Sequence, residues 1–370
     1  MSIRLFVDAH VFDKGYEGTR TFIKGIYSEM SDYKDVELFL AAHNVESLKK
    51  EFPQKNIRFI KYKTSASFLR LMYEIPAIIR KYRIDWAHFQ YVSPWVHNCK
   101  FIVTTHDLLF REHPQEFPWH YRLMRSYLFK RSAVKADILT TVSEYSKRSI
   151  QKHFDIENKE ILVIKNGISS AFLKSSDKEF SRNYISKNHR ISQYLLYVSR
   201  LEPRKNQAFL LKAFMELKLY EQNYRLVFVG RRSIQTKEFD ELLLSLTASA
   251  RQSVFILSNV DDEELFHFYN GAELFLYPSK AEGFGIPPLE AAVLKTDVLC
   301  SGTSAMMDFH FFPQQFDPFD YNSFLLKLRN CLSKKRSEAD LCKVSDTIKE
   351  NYCWKRSAQQ LYDIIKSNDT

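Results

Sequence analysis

Glycine is scarce, at nine in 370 residues, so the few that stand beside charged side chains mark places where a backbone must turn sharply or approach a ligand closely. The five cysteines, Cys99, Cys300, Cys331, Cys342 and Cys353, are odd in number, scattered and never spaced C-x-x-C. That indicates neither a disulfide framework nor a zinc site, and leaves reduced, mostly buried thiols as the expectation. No apolar run approaches the roughly 20 residues of a membrane span. The opening MSIRLFVDAHVF reads as a strand followed by polar residues and not as a signal peptide, so a cytoplasmic protein is expected. No G-x-G-x-x-G follows a first strand, which argues against a dinucleotide dehydrogenase. No D-x-D pair or His/Cys cluster has ligand spacing, so no metal is expected. Zinc-finger, RNP-type and Arg-rich signatures are absent too, and nucleic acid is not an expected partner.

What is present is a chain of 370 residues with 45% hydrophobic content, enough for two domains with separate cores. The net charge of +10 is uneven: residues 1–170 hold 27 Lys and Arg against 19 Asp and Glu, whereas 171–370 are nearly balanced. A basic half suits solubility, an anionic substrate or an anionic membrane surface.

Apolar runs alternate with helical periodicity. IRLFVD, VELFLAA, IRFIKY, WAHFQY, FIVTTHD, ILTTVS and ILVIKNG predict strands, separated by helices such as FLRLMYEIPAIIRKYR and WHYRLMRSYLFKRSAVKA. The periodicity lapses between about residues 168 and 191, which predicts a linker. A second series follows through YLLYVSR, RLVFVG, VFILSNV, LFLYPS and DVLCSG. This is the α/β pattern of two doubly wound, Rossmann-like domains, whose ligand crevices are expected to face each other across a cleft. The final NYCWKRSAQQLYDIIKS predicts an amphipathic helix with Trp354, Ala358, Leu361 and Ile365 on one side.

The most informative stretch is YPSKAEGFGIPPLEAAVL, from Tyr277. Its prolines suit the first turn of a helix, and Gly283 and Gly285 would let the amides of Phe284 and Ile286 approach an anion at the helix N-terminus. Glu282 and Glu290 stand eight residues apart beside it. Upstream, Ser199-Arg200-Leu-Glu-Pro-Arg204-Lys205-Asn206 puts cations at the end of a strand, as a diphosphate requires. Gly230 ends RLVFVG, Asn259 and Val260 precede the acids DDEE, and His106-Asp107 ends FIVTTHD. Those acids fit a helix N-cap equally well.

These elements together, H-D, R-x4-KN, VG and E-x7-E, resemble the retaining glycosyltransferases of family 4, which have the two-domain GT-B fold. The resemblance covers about residues 3–365. It departs from the family in Ser199 for the usual glycine, and in Ser304 and Met307-Asp308 within CSGTSAMMDF. It implies an acceptor-binding domain at 1–172, a nucleotide-sugar domain at 173–350 and a last helix, 351–370, crossing back to the first. It further implies that Arg200 and Lys205 hold the donor pyrophosphate without a metal or other cofactor, and that Glu290 takes the ribose hydroxyls. Glu282 and His106 would face the donor sugar, Gly230, Asn259 and Val260 the nucleotide, and Gly18 a glycine loop near the first strand. The partners implied are a nucleotide-sugar donor and a glycan or lipid-linked acceptor. HDLLFREHPQEFP resembles bacterial mannosyltransferases of surface polysaccharides, which points to GDP-mannose. Peripheral membrane contact is expected through the basic first half, with Arg70, Arg80, Lys81 and Arg83 flanking one helix and Arg122, Arg125, Lys130 and Arg131 on the next. The rival readings are a non-hydrolysing sugar-nucleotide epimerase and a non-catalytic sugar-nucleotide-binding subunit.

Overall fold

In the computed structural model, which describes residues 2–13, 18–54, 56–174 and 177–369, the chain divides into two compact units. The first comprises Met1–Gly167 together with Tyr352–Thr370, and the second Ile168–Asn351.

The first unit is built on a seven-stranded sheet. Its strands are β1 (Ile3–Asp8), β2 (Val36–Ala42), β3 (Ile57–Lys61), β4 (Trp86–Gln90), β5 (Lys100–Thr104), β6 (Ile138–Thr141) and β7 (Leu162–Val163). They lie in the order β3-β2-β1-β4-β5-β6-β7, and every described pairing is parallel. Parallel strands need helical crossovers that cover both faces of the sheet, which is why IRLFVD and WAHFQ are buried almost throughout. The strand order reverses at β1/β4, so Asp8, Gln90 and His106 come out at one carboxyl edge, the place where such sheets bind ligands.

The second unit repeats the plan with six strands: β8 (Tyr194–Val198), β9 (Arg225–Val229), β10 (Val254–Leu257), β11 (Leu274–Tyr277), β12 (Val298–Ser301) and β13 (Gln315–Phe316). The order is β10-β9-β8-β11-β12-β13, again parallel, with reversal at β8/β11. Leu195, Tyr197, Leu226 and Phe228 meet Leu211 and Phe214 of the helix Gln207–Glu216 in its core. Both domains are Rossmann-like.

Three expectations change. The predicted linker is occupied by a helix, Lys178–His189, capped by the Asp177 carboxylate; it buries Ser181 and Ile185 and packs on the helix Asp262–Gly271. Its polar composition hid it, because only a narrow side is covered. The units part at Gly167/Ile168, ahead of the expected 172/173, because the short 3-10 turn Ser170–Leu173 packs on the second unit through Phe172 and Tyr269, 5.6 Å between ring centroids. Arg70, expected at a membrane-facing rim, is buried: it lies over the Tyr62 ring, beside His43 and the Asp8 carboxylate. The apolar side chains of that helix, Ile75, Ile78 and Ile79, fill the core.

The last helix, Trp354–Asp369, packs on Gly18–Met30 within the first unit. Gly25 makes this possible, since a Cβ there would lie inside the indole of Trp354. Gly25→Leu is therefore expected to cost about 1–3 kcal/mol or more through overpacking, read as a lower denaturation midpoint.

Candidate functional site

At the carboxyl edge of the second sheet the chain assembles a buried charge cluster. The 3-10 turn Pro203–Lys205 follows β8 and is closed by Asn206 at φ 59°, while the loop after β11 brings Glu282. Glu202, Arg204, Lys205 and Glu282 are each less than a tenth exposed. The Lys205 ammonium donates to Glu282 Oε1 at 2.6 Å, and the Tyr277 hydroxyl donates to the same oxygen at 2.9 Å. Arg204 reaches Glu282 Oε2 at 3.4 Å and Glu202 Oε1 at 2.5 Å, and also donates to the Ala281 carbonyl. Burial alone would raise the Glu282 pKa, but Lys205 and Arg204 outweigh it and hold the carboxyl at about 2. For Lys205 burial wins, so its pKa is lowered although Glu282 opposes the shift. Two cations thus face two carboxylates, and removing any one strands a charge indoors, a loss of about 3–5 kcal/mol.

Around this cluster the backbone is shaped by glycine at two points. Gly285, at φ 98°, caps the helix Ile286–Val293, and a side chain there would run into Met306. Gly230, at φ 148° after β9, lies so close to the Ser199 carbonyl that no Cβ fits. The Glu282 amide donates to Ser304 Oγ at 2.8 Å, which holds Gly283 and Phe284 in register ahead of the helix. Arg200 is different from its neighbours: it is exposed, with only a loose contact to Glu202 at 3.8 Å.

Glu290 is on the first turns of that helix and accepts from the Tyr269 hydroxyl at 2.8 Å. Burial pushes its pKa up to about 7 against that bond, with Asp262 adding a smaller push in the same direction. Asn259 is exposed and Val260 half-buried, both in the turn before Asp261, which caps the helix Asp262–Gly271 by accepting from the Glu264 amide. The acids after Val260 are therefore helix-cap residues.

In the first unit His106 sits just beyond β5, buried. Its Nε2 meets Gln90 Oε1 at 2.6 Å; the Gln90 amide nitrogen is 3.2 Å from His88 Nε2, and His88 Nδ1 meets the Tyr27 hydroxyl. Burial lowers both imidazoles to about 3, so both are neutral at physiological pH. An amide between two neutral rings fixes their tautomers: the Gln90 oxygen accepts from His106 Nε2–H, and its NH2 donates to His88 Nε2. His106 therefore keeps Nδ1 as an acceptor. Gly18 begins a helix, and among the described residues nothing stands where its side chain would be; the loop residues 14–17 lie outside the described residues.

The structure thus joins Lys205 with Glu282, gathers Gly230 beside Ser199 and Arg200, and pairs Glu290 with Tyr269. Glu282 is turned onto the cations and is not a solvated rim carboxylate. Arg204 and Tyr277 stand within the two quoted motifs but are given no role there, whereas Tyr269 and Gln90 come from a helix and a strand with no motif of their own.

Two family models cover most of the chain: Glycosyltransferase Family 4 matches residues 18–172, and Glycosyl transferases group 1 matches 180–309. The chain belongs to the family 4 glycosyltransferases. It is 27% identical to O-antigen chain mannosyltransferase B of Escherichia coli over 291 residues, 74% of this chain and 75% of that one. It is 29% identical to O-antigen chain mannosyltransferase RfbU of Salmonella typhimurium over 200 residues, 54% of this chain and 51% of that protein. The fold matches a crystal structure of a glycosyltransferase from Rickettsia africae with a TM-score of 0.75 at 17% identity, covering 99% and 98% of the two chains. The chain is thus a glycosyltransferase of GT-B fold, which takes a nucleotide-sugar donor and a glycan acceptor. Among the described residues no group of three or more His, Cys, Asp and Glu is placed to hold a metal, and no helix is long and apolar enough to cross a membrane.

The raised pKa of Glu290 has a definite sign in this glycosyltransferase. Between its ordinary 4.5 and about 7 the folded state holds the extra proton, so stability falls as pH rises through that window. Glu290→Gln should therefore melt at a higher temperature than the parent at pH 8, with the difference gone at pH 4. A difference that does not depend on pH would show that the carboxyl is not held protonated.

Proposed function

We propose that the chain is a retaining mannosyltransferase that moves mannose from GDP-mannose to a hydroxyl of a lipid-linked glycan, in bacterial polysaccharide synthesis at the inner face of the membrane. The observation that carries the reading is the cationic edge of the second sheet, where exposed Arg200 and buried Lys205 stand near the glycine-capped helix Ile286–Val293. Mannose is supported by the two relatives named as O-antigen chain mannosyltransferases.

In the proposed reaction the bond from mannose C1 to the diphosphate breaks as the acceptor oxygen bonds to C1 on the same face. The acceptor proton passes to the departing phosphate oxygen. The growing charge on the diphosphate falls to Arg200, to the N–H groups of Lys205 that Glu282 leaves over, and to the helix dipole. Glu282 serves chiefly to keep Lys205 charged and fixed. Glu290 accepts ribose hydroxyls in its ionised form, and Gly230, Asn259 and Val260 line the nucleotide. His106, with Nδ1 as acceptor, contacts the donor sugar. The first domain binds the acceptor, and its cationic surplus, 27 Lys and Arg against 19 Asp and Glu over residues 1–170, favours peripheral contact with an anionic leaflet.

Incubation with labelled GDP-mannose, UDP-glucose and other donors, followed by anomeric assignment of the product, tests this reading. Mannosyl transfer with retention supports it; isomerised donor, or binding without turnover, overturns it. Arg200→Ala should lower kcat by on the order of a hundredfold, because Arg200 supplies charge to the departing anion while lying outside the buried cluster. A near-parental rate would remove Arg200 from that role.

Turnover should also persist in EDTA, since side-chain cations take the place of a divalent ion. Loss of turnover, restored by magnesium or manganese, would contradict metal independence.

A further inference from the structure

The run WAHFQY leaves the first sheet one residue before its apolar pattern ends. β4 stops at Gln90, and Tyr91 turns the chain at φ 64°, with the Val92 amide donating back to the Gln90 carbonyl at 2.7 Å. Such a bond closed around a positive φ is a γ-turn of the rare, strained kind. Arg83, Asp155 and Arg190 also have positive φ, but each closes a helix, where left-handed backbone is ordinary. Tyr91 closes none, and its bulky side chain disfavours this backbone region further.

Strain of this sort survives only where the surroundings hold it, and it gathers at sites of function. The surroundings of Tyr91 are specific. Its amide donates to the Thr104 carbonyl at 2.9 Å, so the chain stays tied to β5 up to the turn. Its ring stacks on buried Phe129, 4.6 Å between centroids and 24° between planes, and stands 5.5 Å from the His106 imidazole at a tilt of 48°. Phe22 meets the same imidazole edge-on at 5.2 Å. The Tyr91 hydroxyl lies 3.5 Å from Asp107 Oδ2.

Neighbouring residues of an extended strand point to opposite faces of the sheet, so Gln90 and Tyr91 could not both reach one side chain if β4 simply continued. Bending at Tyr91 brings both onto His106. Gln90 Oε1, at 2.6 Å, sets which ring nitrogen carries the proton, and the Tyr91 ring stands beside the imidazole. We propose that Tyr91 is a positioning residue for glycosyl transfer: its strained turn aims Gln90, and its ring clamps His106, so that Nδ1 stays presented as a hydrogen-bond acceptor for the donor sugar. The inference rests on the role given to His106 in the proposed function. The ring and the turn do the positioning, with Phe129 as backing, and the Tyr91 hydroxyl is an accessory.

Urea denaturation of the full chain reads the strain. Glycine adopts φ 64° freely and alanine does not, so Tyr91→Gly should exceed Tyr91→Ala by about fivefold in the folded-to-unfolded ratio, against the usual order of the two residues. An alanine variant as stable as the glycine variant would show an unstrained turn and overturn the proposal. Kinetics and nitrogen NMR of the imidazoles read the positioning. Tyr91→Gly, checked for folding by circular dichroism, should lower kcat by about tenfold or more while the donor KM stays within about threefold, and Tyr91→Phe, which keeps the ring, should recover most of that loss. His106 in the parent should show a single tautomer protonated at Nε2, and Tyr91→Gly should average its two ring nitrogens. Parental kcat and a single tautomer in folded Tyr91→Gly would overturn the proposal, and so would a change confined to the donor KM. Incubation of the parent with labelled GDP-mannose separates the two readings. Absence of mannosyl transfer there would count against the proposed function, and the role of Tyr91 would then stand or fall on the stability order and the imidazole spectrum.

Discussion

The ion pair between Lys205 and Glu282 is the interaction on which the carboxyl edge of the second sheet rests. Neither residue could be buried alone, because an isolated charge at that depth would neutralise itself or unfold its surroundings. Bringing them to 2.6 Å requires the turn after β8 and the loop after β11 to meet, and those strands are adjacent only because the sheet order reverses there. Arg204 and Glu202 extend the pair into a balanced set of four. The cluster thereby keeps a cation in place at the sheet edge. It also sets the path of Gly283 and Phe284 into the helix Ile286–Val293, which Gly285 caps.

The first unit uses a different device at the corresponding edge. Its buried polar chain from Tyr27 through His88 and Gln90 to His106 carries no net charge, because both imidazoles are held neutral by burial. What the chain controls is the direction of hydrogen bonding. A single amide, Gln90, decides which His106 nitrogen is free to accept. One sheet edge is therefore organised by paired charge and the other by proton direction.

Composition and motif determined much of this glycosyltransferase. The alternation of apolar strands with helical stretches is dictated by crossovers that bury parallel strands on both faces, so two Rossmann-like domains were legible before any coordinate was known. The glycines at 230 and 285 were legible for a similar reason, since scarcity made each one conspicuous. The tertiary structure decided what pattern cannot encode. It turned Glu282 away from solvent and onto Lys205, left Arg200 as the exposed cation, and raised the pKa of the Glu290 carboxyl by burial. It ordered the Ser- and Lys-rich stretch of 178–189 into a packed helix, and drew Arg70 in over the Tyr62 ring while leaving Trp119, Leu123 and Tyr127 outside. Periodicity along one helix says which residues share a side, but whether that side meets protein or solvent depends on neighbours distant in sequence. The pKa of a carboxyl likewise depends on groups that only the fold brings within a few ångströms.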